Sequence, residues 1–560
     1  MNSLTLFIQR HHLKIFFFGW LLLQVIQAHS TELLDDEAYY WVYSKFPEWG
    51  YFDHPPMIAI LIKAGTLLFP GELGVRFFIV ILNTLTLYII YRLLEKKNDG
   101  LFYLIACSMA VLQIGGFLAV PDIPLTFFVA LFFLLYKNFL RDSSYVNSIL
   151  LGITAALLLY SKYHGVLIIF FTILSNPRLL LNPKGWFAWF ICVLFYLPHL
   201  YWQYTHDFPS IQFHLLERAA NKYHFKYTLS YIGDQILIAG PLTGWLIIWA
   251  AFKFRITNDF EKALKYSMVG IYIFFLLSTL RGRVEANWTM SAFIPLFILS
   301  HQYLMTHNRM VRILRIALPV TLSLVILGRV YMMLNLPKNN IIPKDEIHGN
   351  KEWAGIIKQR AKDNPVVFVN TYQLASKYWF YSGDTSLSLN GIRYRRSNYN
   401  FWPLDNITNT TSALVVSPYY YNYYSDTLYT PLGRTGTRVA APFFCFPRVK
   451  LFLKNSLVIK NGKMQQNFLC VEIDAVSLQQ ILQSNLKNMH VRMYFLQDDK
   501  KVAVFFTDVL LKDLQHKMEY DISDVKFNLP KGEYEVKLSL PSSAIFDPTL
   551  NSTSLEATVE

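Results

Sequence analysis

Residues 13–60 read LKIFFFGWLLLQVIQAHSTELLDDEAYYWVYSKFPEWGYFDHPPMIAI, and this stretch decides the fold. An apolar run at 13–28 leads into an acidic, aromatic loop, after which the chain becomes apolar again at 57–69. A helix that crosses a bilayer needs about 20 apolar residues, and the first run approaches that length. No small-residue cleavage site follows it, so the run predicts a retained membrane helix rather than a signal peptide.

Ten further apolar runs follow this stretch. They lie at 75–91, 101–118, 123–136, 146–160, 165–175, 186–204, 231–252, 264–280, 288–305 and 313–334. Together they predict a transmembrane domain of about eleven to thirteen helices at residues 1–335. The run at 57–69 is short and contains Lys63, so it predicts an interfacial or re-entrant segment. The composition agrees, since 53% of the 560 residues are hydrophobic and only 16% are charged.

Charge in the short loops predicts the orientation. Basic clusters, such as those at 92–97 and 309–315, alternate along the chain with loops rich in Asp and Glu. Because cytoplasmic loops are enriched in Lys and Arg, the N-terminus is expected inside and residues 340–560 outside the membrane. Much of the net charge of +14 is therefore a topology signal. No basic stripe with interleaved aromatic residues is present, which argues against a nucleic-acid partner.

The region after residue 340 is more polar and changes its periodicity. Residues 340–444 alternate helical and buried-strand patterns, which predicts a small α/β domain; these patterns lie at 351–362, 365–370, 374–381 and 413–417. Alternating segments from about 447 predict an all-β, sandwich-like domain at 445–560. Cys445 and Cys470 are candidates for a disulfide if this region lies in an oxidising compartment.

The first outer loop contains the highest concentration of candidate site residues. Asp35, Asp36 and Glu37 follow a membrane crossing directly, and Asp53-His54 precedes two prolines just before the chain returns to the bilayer. Carboxylates at a membrane surface are expensive to desolvate, so the cluster suggests a functional site. The acidic motif alone also fits a solvated loop, and only its combination with FDHPP and with the other charged outer segments favours a site. A carboxylate can act as a general base toward a hydroxyl or can hold a divalent cation.

Two further outer turns carry single charged residues. Asp122 lies between two prolines in AVPDIPL, where it is either a site residue or a helix cap. Lys162 and His164 lie in SKYHG and either bind a phosphate or extend toward lipid headgroups.

The remaining outer segments are mixed in charge. Residues 206–227 suit an amphipathic segment lying on the membrane, such as a lid over a lipid-linked substrate. The segment TLRGRVEANW at 279–288 contains Arg281, Arg283 and Glu285, which suggest phosphate recognition or an ordinary ion pair. Acids for a hydroxyl acceptor and cations for a lipid phosphate, all on one face, are what sugar transfer from a polyprenyl-phosphate carrier requires.

The motifs DDEAYYW, GYFDHPP, VPDIPL, SKYHG and RVEANW resemble those of the dolichyl-phosphate-mannose–protein mannosyltransferase superfamily. They are most similar to its bacterial members, including the aminoarabinose transferases that modify lipid A. The resemblance covers most of residues 1–400, including YQLASKYWFY at 372–381, but not the appended β-rich region. It implies a GT-C fold, in which a polytopic helical domain with a catalytic first outer loop is joined to an extracytoplasmic soluble region.

The resemblance also implies an activity and roles. Family members transfer a hexosyl or pentosyl group from a polyprenyl-phosphate carrier, with inversion, to a glycolipid such as lipid A, a glycan or a protein. Asp36 matches the family's catalytic base, Glu37 its partner, Asp53 and His54 an acidic–basic pair, and Asp122 the acid of the second turn. His54 stands where the lipid A enzymes have Lys, so a fixed positive charge is lost there. Lys162, Arg281 and Arg283 are candidates for binding the phosphate, with Glu285 beside them.

Two points stay open at this level. The sequence requires no cofactor, although Asp53, His54 and Asp122 are candidate ligands for a divalent metal ion. A transporter or flippase for lipid-linked saccharides would also need many helices and phosphate contacts. It would not need acidic residues concentrated in one outer loop, which favours the enzyme.

Overall fold

The computed structural model describes residues 3–214, 223–334, 345–409, 412–419, 422, 424–498, 500–544 and 548–560. It divides into two compact units, Met1–Pro337 and Lys338–Glu560. The boundary lies within the predicted junction between the transmembrane domain and the soluble region. Lys338–Glu560 form one unit, and the expected division at 444/445 stays a prediction.

The first unit is helical throughout its described part. Its helices are α1 (Ser3–Ser30), α2 (Asp35–Tyr43), α3 (Met57–Leu68), α4 (Gly71–Leu93), α5 (Asp99–Ser108), α6 (Ala110–Gln113), α7 (Asp122–Arg141), α8 (Tyr145–Ser161), α9 (Gly165–Ser175), α10 (Pro183–Thr205), α11 (Pro209–Gln212), α12 (Phe225–Ala239), α13 (Gly244–Lys253), α14 (Asp259–Ser278), α15 (Phe293–Leu304) and α16 (Asn308–Met333). Short 3₁₀ turns lie at Gly115–Phe117, Pro177–Leu181 and Ala286–Ala292. Nearly every predicted apolar run thus corresponds to one helix or to a pair of helices.

Fewer of these helices than expected are long, straight spans. Within the described residues, five are long and apolar enough to cross a membrane: α4, α7, α10, α16 and the Gln9–Ser30 part of α1. Two bent pairs, α5 with α6 and α12 with α13, bring the number to seven if each pair is one span. The apolar helices α3, α8 and α9 are shorter, at 10–17 residues. The chain is therefore a multi-pass membrane protein, and the count of eleven to thirteen helices stays a prediction.

The break between α5 and α6 needs polar partners inside the bundle. The two helices meet at 80°, which frees main-chain carbonyl groups that a straight helix would use. Gln24 and Asn83 donate side-chain amide hydrogens to the Leu112 carbonyl, at 3.2 and 3.0 Å. The Arg329 guanidinium donates to the Gln113 carbonyl. Buried side chains from three other helices thus fix the segment that leads into the turn before α7.

The second unit contains helices α17 (Asn350–Ala361), α18 (Tyr372–Ser382), α19 (Asp405–Thr408) and α20 (Ala475–Gln483). Its strands are β1 (Val366–Val369), β2 (Ser386–Leu389), β3 (Ala413–Ser417), β4 (Asp426–Thr430), β5 (Gly433–Ala440), β6 (Lys450–Leu453), β7 (Leu457–Lys460), β8 (Lys463–Met464), β9 (Phe468–Glu472), β10 (His490–Gln497), β11 (Lys500–Leu510), β12 (Glu519–Asp521), β13 (Gly532–Leu540), β14 (Thr549–Leu550) and β15 (Leu555–Val559). They form three sheets.

The first sheet is the α/β part. Its order is β2-β1-β3-β5-β4, with β1 parallel to both β2 and β3 and with β5 antiparallel to its neighbours. Every residue of β1, β2 and β3 is buried, which agrees with the continuous apolar runs VVFV in β1 and ALVV in β3.

The other two sheets form the β-rich part. A seven-stranded sheet has the order β11-β10-β13-β15-β7-β8 with β14 beside β13, and a three-stranded sheet has the order β12-β9-β6. One apolar core unites residues of both, among them Leu451, Leu469, Val491 and Val536. The expectation of an all-β region is wrong at α20, where the Asp474 side chain accepts from the Ser477 amide and starts a helix. Cys445 and Cys470 are both free thiols, so this candidate pair does not form a disulfide.

A buried ion pair stabilises the second unit. Arg448 Nε donates to Asp405 Oδ1 at 2.8 Å, and the Asp405 side chain is fully buried. Burial raises the pKa of the Asp405 carboxyl, although Arg448 acts in the opposite direction. We expect Arg448→Leu to lower the free energy of unfolding by about 3–5 kcal/mol at pH 8, because it leaves a buried charge unpaired. Thermal unfolding of the full chain in detergent measures this.

The same variant should depend on pH. A carboxyl whose folded-state pKa is raised loses stability as the pH rises through that pKa, so the penalty of Arg448→Leu should shrink at pH 5. Lys454→Leu is the matched control, because the Lys454–Glu519 pair is about half exposed (51% and 45%). It should leave the melting temperature almost unchanged, because solvent screens an exposed ion pair. Equal losses in the two variants would contradict the assignment.

Candidate active site

The first outer loop presents one acid and buries its neighbour. Asp35, Asp36 and Glu37 form the first turn of α2. The Asp36 side chain is exposed, whereas Glu37 is fully buried. Glu37 Oε2 accepts from the Leu34 main-chain amide at 3.0 Å, which closes the start of the helix. Successive helix positions point about 100° apart, so fixing Glu37 inside the protein directs Asp36 outward.

Arg76 on α4 is the partner of Glu37. Its Nε donates to Glu37 Oε1 at 2.7 Å, and both side chains are completely buried. The guanidinium also donates to the carbonyls of Ala28 and Glu32, at 3.1 and 3.0 Å. Glu37 is therefore one half of an internal ion pair that holds the start of α2 in place, and its catalytic role stays a prediction.

Glu37 also connects the first outer loop with the second. Glu37 Oε1 accepts from the Ala119 main-chain amide at 2.7 Å. Ala119 lies three residues before Asp122, in the turn that precedes α7. One carboxylate thus fixes the start of α2, the buried end of Arg76 and the second outer turn relative to one another.

Asp122 joins three of the motifs that the sequence analysis singled out. It is buried, and it accepts from Lys162 Nζ at 2.7 Å and from Asn287 Nδ2 at 2.9 Å. Lys162 belongs to SKYHG at the end of α8, and Asn287 to RVEANW. The local alternatives of a helix cap and of a Lys extended to the headgroups therefore do not describe this cluster, since the charged atoms of Asp122 and Lys162 are paired inside the protein.

Asp53 is held from two directions. Tyr43 donates its hydroxyl to Asp53 Oδ1, and His214 Nε2 lies 2.9 Å from the Asp53 carbonyl oxygen. Burial, reinforced by the Asp53 charge, raises the pKa of the Tyr43 hydroxyl well above its ordinary value, so Tyr43 remains a donor. The neighbouring His54 ring packs edge-on against Tyr40 with centroids 5.4 Å apart.

The end of α10 supports this half of the first loop. His199 Nδ1 lies 2.7 Å from the Trp49 carbonyl, and Trp202 Nε1 donates to Glu48 at 2.6 Å. Gln203 donates to the Tyr163 hydroxyl at 3.0 Å. Tyr163 follows Lys162 directly, and its ring lies 5.7 Å from that of His214. The Asp53 region and the Asp122–Lys162 pair are therefore adjacent parts of one site.

The predicted arginines lie at the surface. Arg281 and Arg283 are both exposed, and Arg283 contacts Glu285 at 3.3 Å with 70% and 42% of the two side chains exposed. The buried contact of this segment with Asp122 is made by Asn287 instead. The proposed lid at 206–227 is described only in part, because 215–222 lie outside the described residues. Its residues 209–214 pack on the first loop through Ser210, which donates to the Tyr51 carbonyl at 2.9 Å.

The candidate metal ligands do not come together. Among the residues that the structure describes, no group of three or more His, Cys, Asp and Glu side chains is arranged to hold a metal ion. Asp53, His54 and Asp122 are all described, so the proposed metal set is not formed by these side chains. Asp53 is bound by Tyr43, and Asp122 by Lys162 and Asn287.

Four residues of the site were not predicted as site residues from the sequence: Arg76, Tyr43, Asn287 and His214. One signal was available for Arg76, since it is a charge at the start of an apolar run, where charges are expensive and usually functional. The others are ordinary polar residues in loops or helix turns, and only their long-range partners distinguish them.

Part of the chain is similar in sequence to known proteins. Residues 53–202 match the family model of the dolichyl-phosphate-mannose–protein mannosyltransferases. Over 304 residues the chain is 22% identical to the lipid A galacturonosyltransferase RgtD of Rhizobium johnstonii, a match that covers 50% of this chain and 63% of that relative.

The fold has a solved counterpart. The crystal structure of ArnT from Cupriavidus metallidurans bound to undecaprenyl phosphate matches with a TM-score of 0.57 at 12% identity, over 77% of this chain and 99% of that one. The apo structure of the same protein matches equally well, with a TM-score of 0.57. The chain thus shares its fold with ArnT, and residues 53–202 are similar to the dolichyl-phosphate-mannose–protein mannosyltransferases.

Proposed function

We propose that the protein is an integral membrane glycosyltransferase. It transfers a sugar from a polyprenyl-phosphate-linked donor to a hydroxyl group of an acceptor on the outer face of the membrane. One observation supports this proposal most directly: in the first turn of α2, Glu37 is buried and fixes the helix, whereas Asp36 is exposed. A rigidly held, exposed carboxylate at a membrane surface is suited to act as a base.

The relatives support the classes of donor and acceptor. ArnT was crystallised with undecaprenyl phosphate, and RgtD is named a lipid A galacturonosyltransferase. Because the match spans less than two thirds of RgtD, the substrates of this chain are proposed from chemistry as well as from likeness. We assign a polyprenyl-phosphate sugar as donor and a glycolipid of the lipid A type as the first acceptor to examine, with glycan and protein acceptors next.

Each of the site residues has one role in the proposed transfer reaction. Asp36 accepts the proton of the acceptor hydroxyl as its oxygen attacks the anomeric carbon from the face opposite the phosphate. The bond between that carbon and the phosphate oxygen breaks, so the configuration inverts and polyprenyl phosphate leaves as an anion. Arg281 and Arg283 are exposed cations that can stabilise the developing charge. The remaining predicted residues hold the site in shape, through the ion pair of Lys162 with Asp122 and the hydrogen bond of Tyr43 with Asp53.

The proposed location follows from the chemistry and the loop charges. The N-terminus is cytoplasmic, the site faces outward across a cell inner membrane, and the unit after residue 338 lies on the extracytoplasmic side. Lipid-linked donors and glycolipid acceptors meet on that side in the membrane plane, which explains why all the charged motifs are found in outer loops.

A donor panel tests the proposal. Purified protein is incubated with polyprenyl-phosphate sugars and candidate acceptors, and mass spectrometry counts free polyprenyl phosphate and modified acceptor. Transfer produces both in equal amounts and only when acceptor is present. A flippase for the same lipid would bind the donor and leave every sugar–phosphate bond intact, and that result would overturn the proposal.

The exposed arginines provide a second prediction. We expect Arg281→Gln combined with Arg283→Gln to lower kcat/KM for the donor by at least about 10-fold, or ~1.4 kcal/mol, because two phosphate contacts are lost. Arg309→Gln with Arg312→Gln is the matched control, since these residues are also exposed but start α16, on the expected cytoplasmic side. Unchanged kinetics in the first double variant would remove both arginines from the site.

A further inference from the structure

An apolar cavity lies in the helical unit, away from the cluster of Asp122, Lys162 and Asn287. It has a volume of about 250 Å³ and is lined by α7, α8, α9 and α10, including Phe132, Leu151, Ala155, Thr172, Trp186 and Trp189. Its lining is almost entirely apolar, and it is only partly enclosed. None of its lining residues belongs to the site described above.

The order of residues along the helices places the cavity at the opposite end of the bundle. Asp122 begins α7, whereas Phe132 and Tyr136 line the cavity 10–14 residues further on. At 1.5 Å per helical residue, this separates the two sites by about 15–21 Å along the axis. The same reversal holds for α8, where Lys162 follows the last residue but Leu151 and Ala155 lie in the first two thirds.

Basic residues surround this end of the bundle. Arg141 ends α7, Arg178 lies beside the lining residue Leu179, and Lys184 precedes the lining residues Gly185 and Trp186. The two connecting loops are adjacent, since Asn182 Nδ2 lies 3.4 Å from Ser143 Oγ. Two acids oppose these three cations: Asp142 is bound by Asn147, and Asp259 acts on the lining residue Tyr136. The surroundings of the cavity therefore have a net positive charge.

Two further features bear on the position and the polarity of the cavity: two exposed tryptophans and one buried hydroxyl group. Trp186 and Trp189 are 54% and 50% exposed, which is typical of tryptophans at the interface with the headgroups. The Thr172 hydroxyl is buried in the cavity wall and has no hydrogen-bond partner within the described part of the chain. Thr172 lies one turn before the end of α9 at Ser175, so an acceptor from the interfacial region can reach it.

We propose that this cavity is a binding site for one anionic phospholipid. An acyl chain occupies the apolar space between α7, α8 and α10, a glycerol ester carbonyl accepts from the Thr172 hydroxyl, and Arg178 and Lys184 contact the phosphate. Positive charge at the mouth favours an acidic headgroup over a zwitterionic one with the same chains. The carrier lipid is a poorer occupant, since its phosphate belongs at the opposite end of the helices, where the sugar must react.

Native mass spectrometry of the full chain tests this inference. Protein delipidated in detergent is offered equal amounts of phosphatidylglycerol and phosphatidylcholine with identical acyl chains. We expect one retained phosphatidylglycerol, at a ratio to phosphatidylcholine of at least about 10. Thr172→Val, which keeps the shape but removes the hydroxyl, should weaken retention about fivefold.

Three variants distinguish the parts of the site. Ala155→Phe fills the cavity and should abolish retention, with an unchanged melting temperature as the check on folding. Arg178→Gln with Lys184→Gln should bring the headgroup preference close to 1, whereas the control pair Arg309→Gln with Arg312→Gln should leave it unchanged. The inference is overturned if Ala155→Phe and Thr172→Val retain the lipid like the native chain. It is also overturned if polyprenyl phosphate displaces phosphatidylglycerol from the native protein stoichiometrically.

Discussion

Asp36→Asn should reduce kcat for sugar transfer by about 10²–10⁴-fold, because the amide cannot accept the proton of the attacking hydroxyl. The side chain is exposed on the first turn of α2, so the substitution leaves the buried contacts of Glu37 in place. We therefore expect an unchanged melting temperature and donor affinity within about twofold of the native value. Single-turnover release of polyprenyl phosphate measures the rate.

The neighbouring acid is the matched control. Asp35 lies one residue earlier in the same turn and is half-buried. Asp35→Asn removes the same charge from the same helix end, so any general electrostatic effect on the loop is reproduced, while the base is kept. Its rate should stay within about threefold of native, since the proposed base is retained. Equal losses in Asp35→Asn and Asp36→Asn would mean that neither acid is a specific base.

Breaking the Glu37–Arg76 pair should produce a large loss of stability in the helical unit. Glu37→Gln leaves a fully buried guanidinium without its counter-charge, which costs about 3–5 kcal/mol. The substitution also replaces the carboxylate that accepts from the Ala119 amide with a neutral, weaker acceptor. The turn that carries Asp122 is therefore held less firmly. We expect a lower melting temperature in detergent and lower activity together, in contrast to Asp36→Asn.

A double variant separates the pair from its surroundings. Glu37→Gln with Arg76→Met removes both charges, so it should be less destabilising than the sum of the two single variants by about 1–3 kcal/mol. Simple additivity would indicate that the two side chains act independently. In that case, the Glu37–Arg76 ion pair would not be what holds the first outer loop in place.

The sequence predicted the position of the loops better than the role of each acid within them. Runs of apolar residues and the alternation of loop charge placed Asp36, Asp122 and Lys162 in outer turns. The same signals could not tell Asp36 from Glu37, because both are acids in one helical turn. What separates them is Arg76, which lies 39 residues further along the chain.

The remaining differences have similar physical causes. Asn287 reaches Asp122 across 165 residues, a contact that depends on how α7 and the 3₁₀ turn at Ala286–Ala292 pack. The arginines of the same segment are exposed, and their role in binding the phosphate stays a prediction. The helix α20 was missed because its nine residues, AVSLQQILQ, lie between strands and offer only two helical turns of periodicity.

The location of the bridging oxygen tests the central claim most directly. A donor labelled with ¹⁸O between the anomeric carbon and phosphorus is incubated with protein and acceptor, and both products are examined by mass spectrometry and NMR. Inverting transfer predicts that all the label leaves with polyprenyl phosphate and that the acceptor carries the sugar with inverted configuration. Label left on the sugar, or an intact donor after saturating binding, would contradict a glycosyltransferase whose acceptor attacks the anomeric carbon.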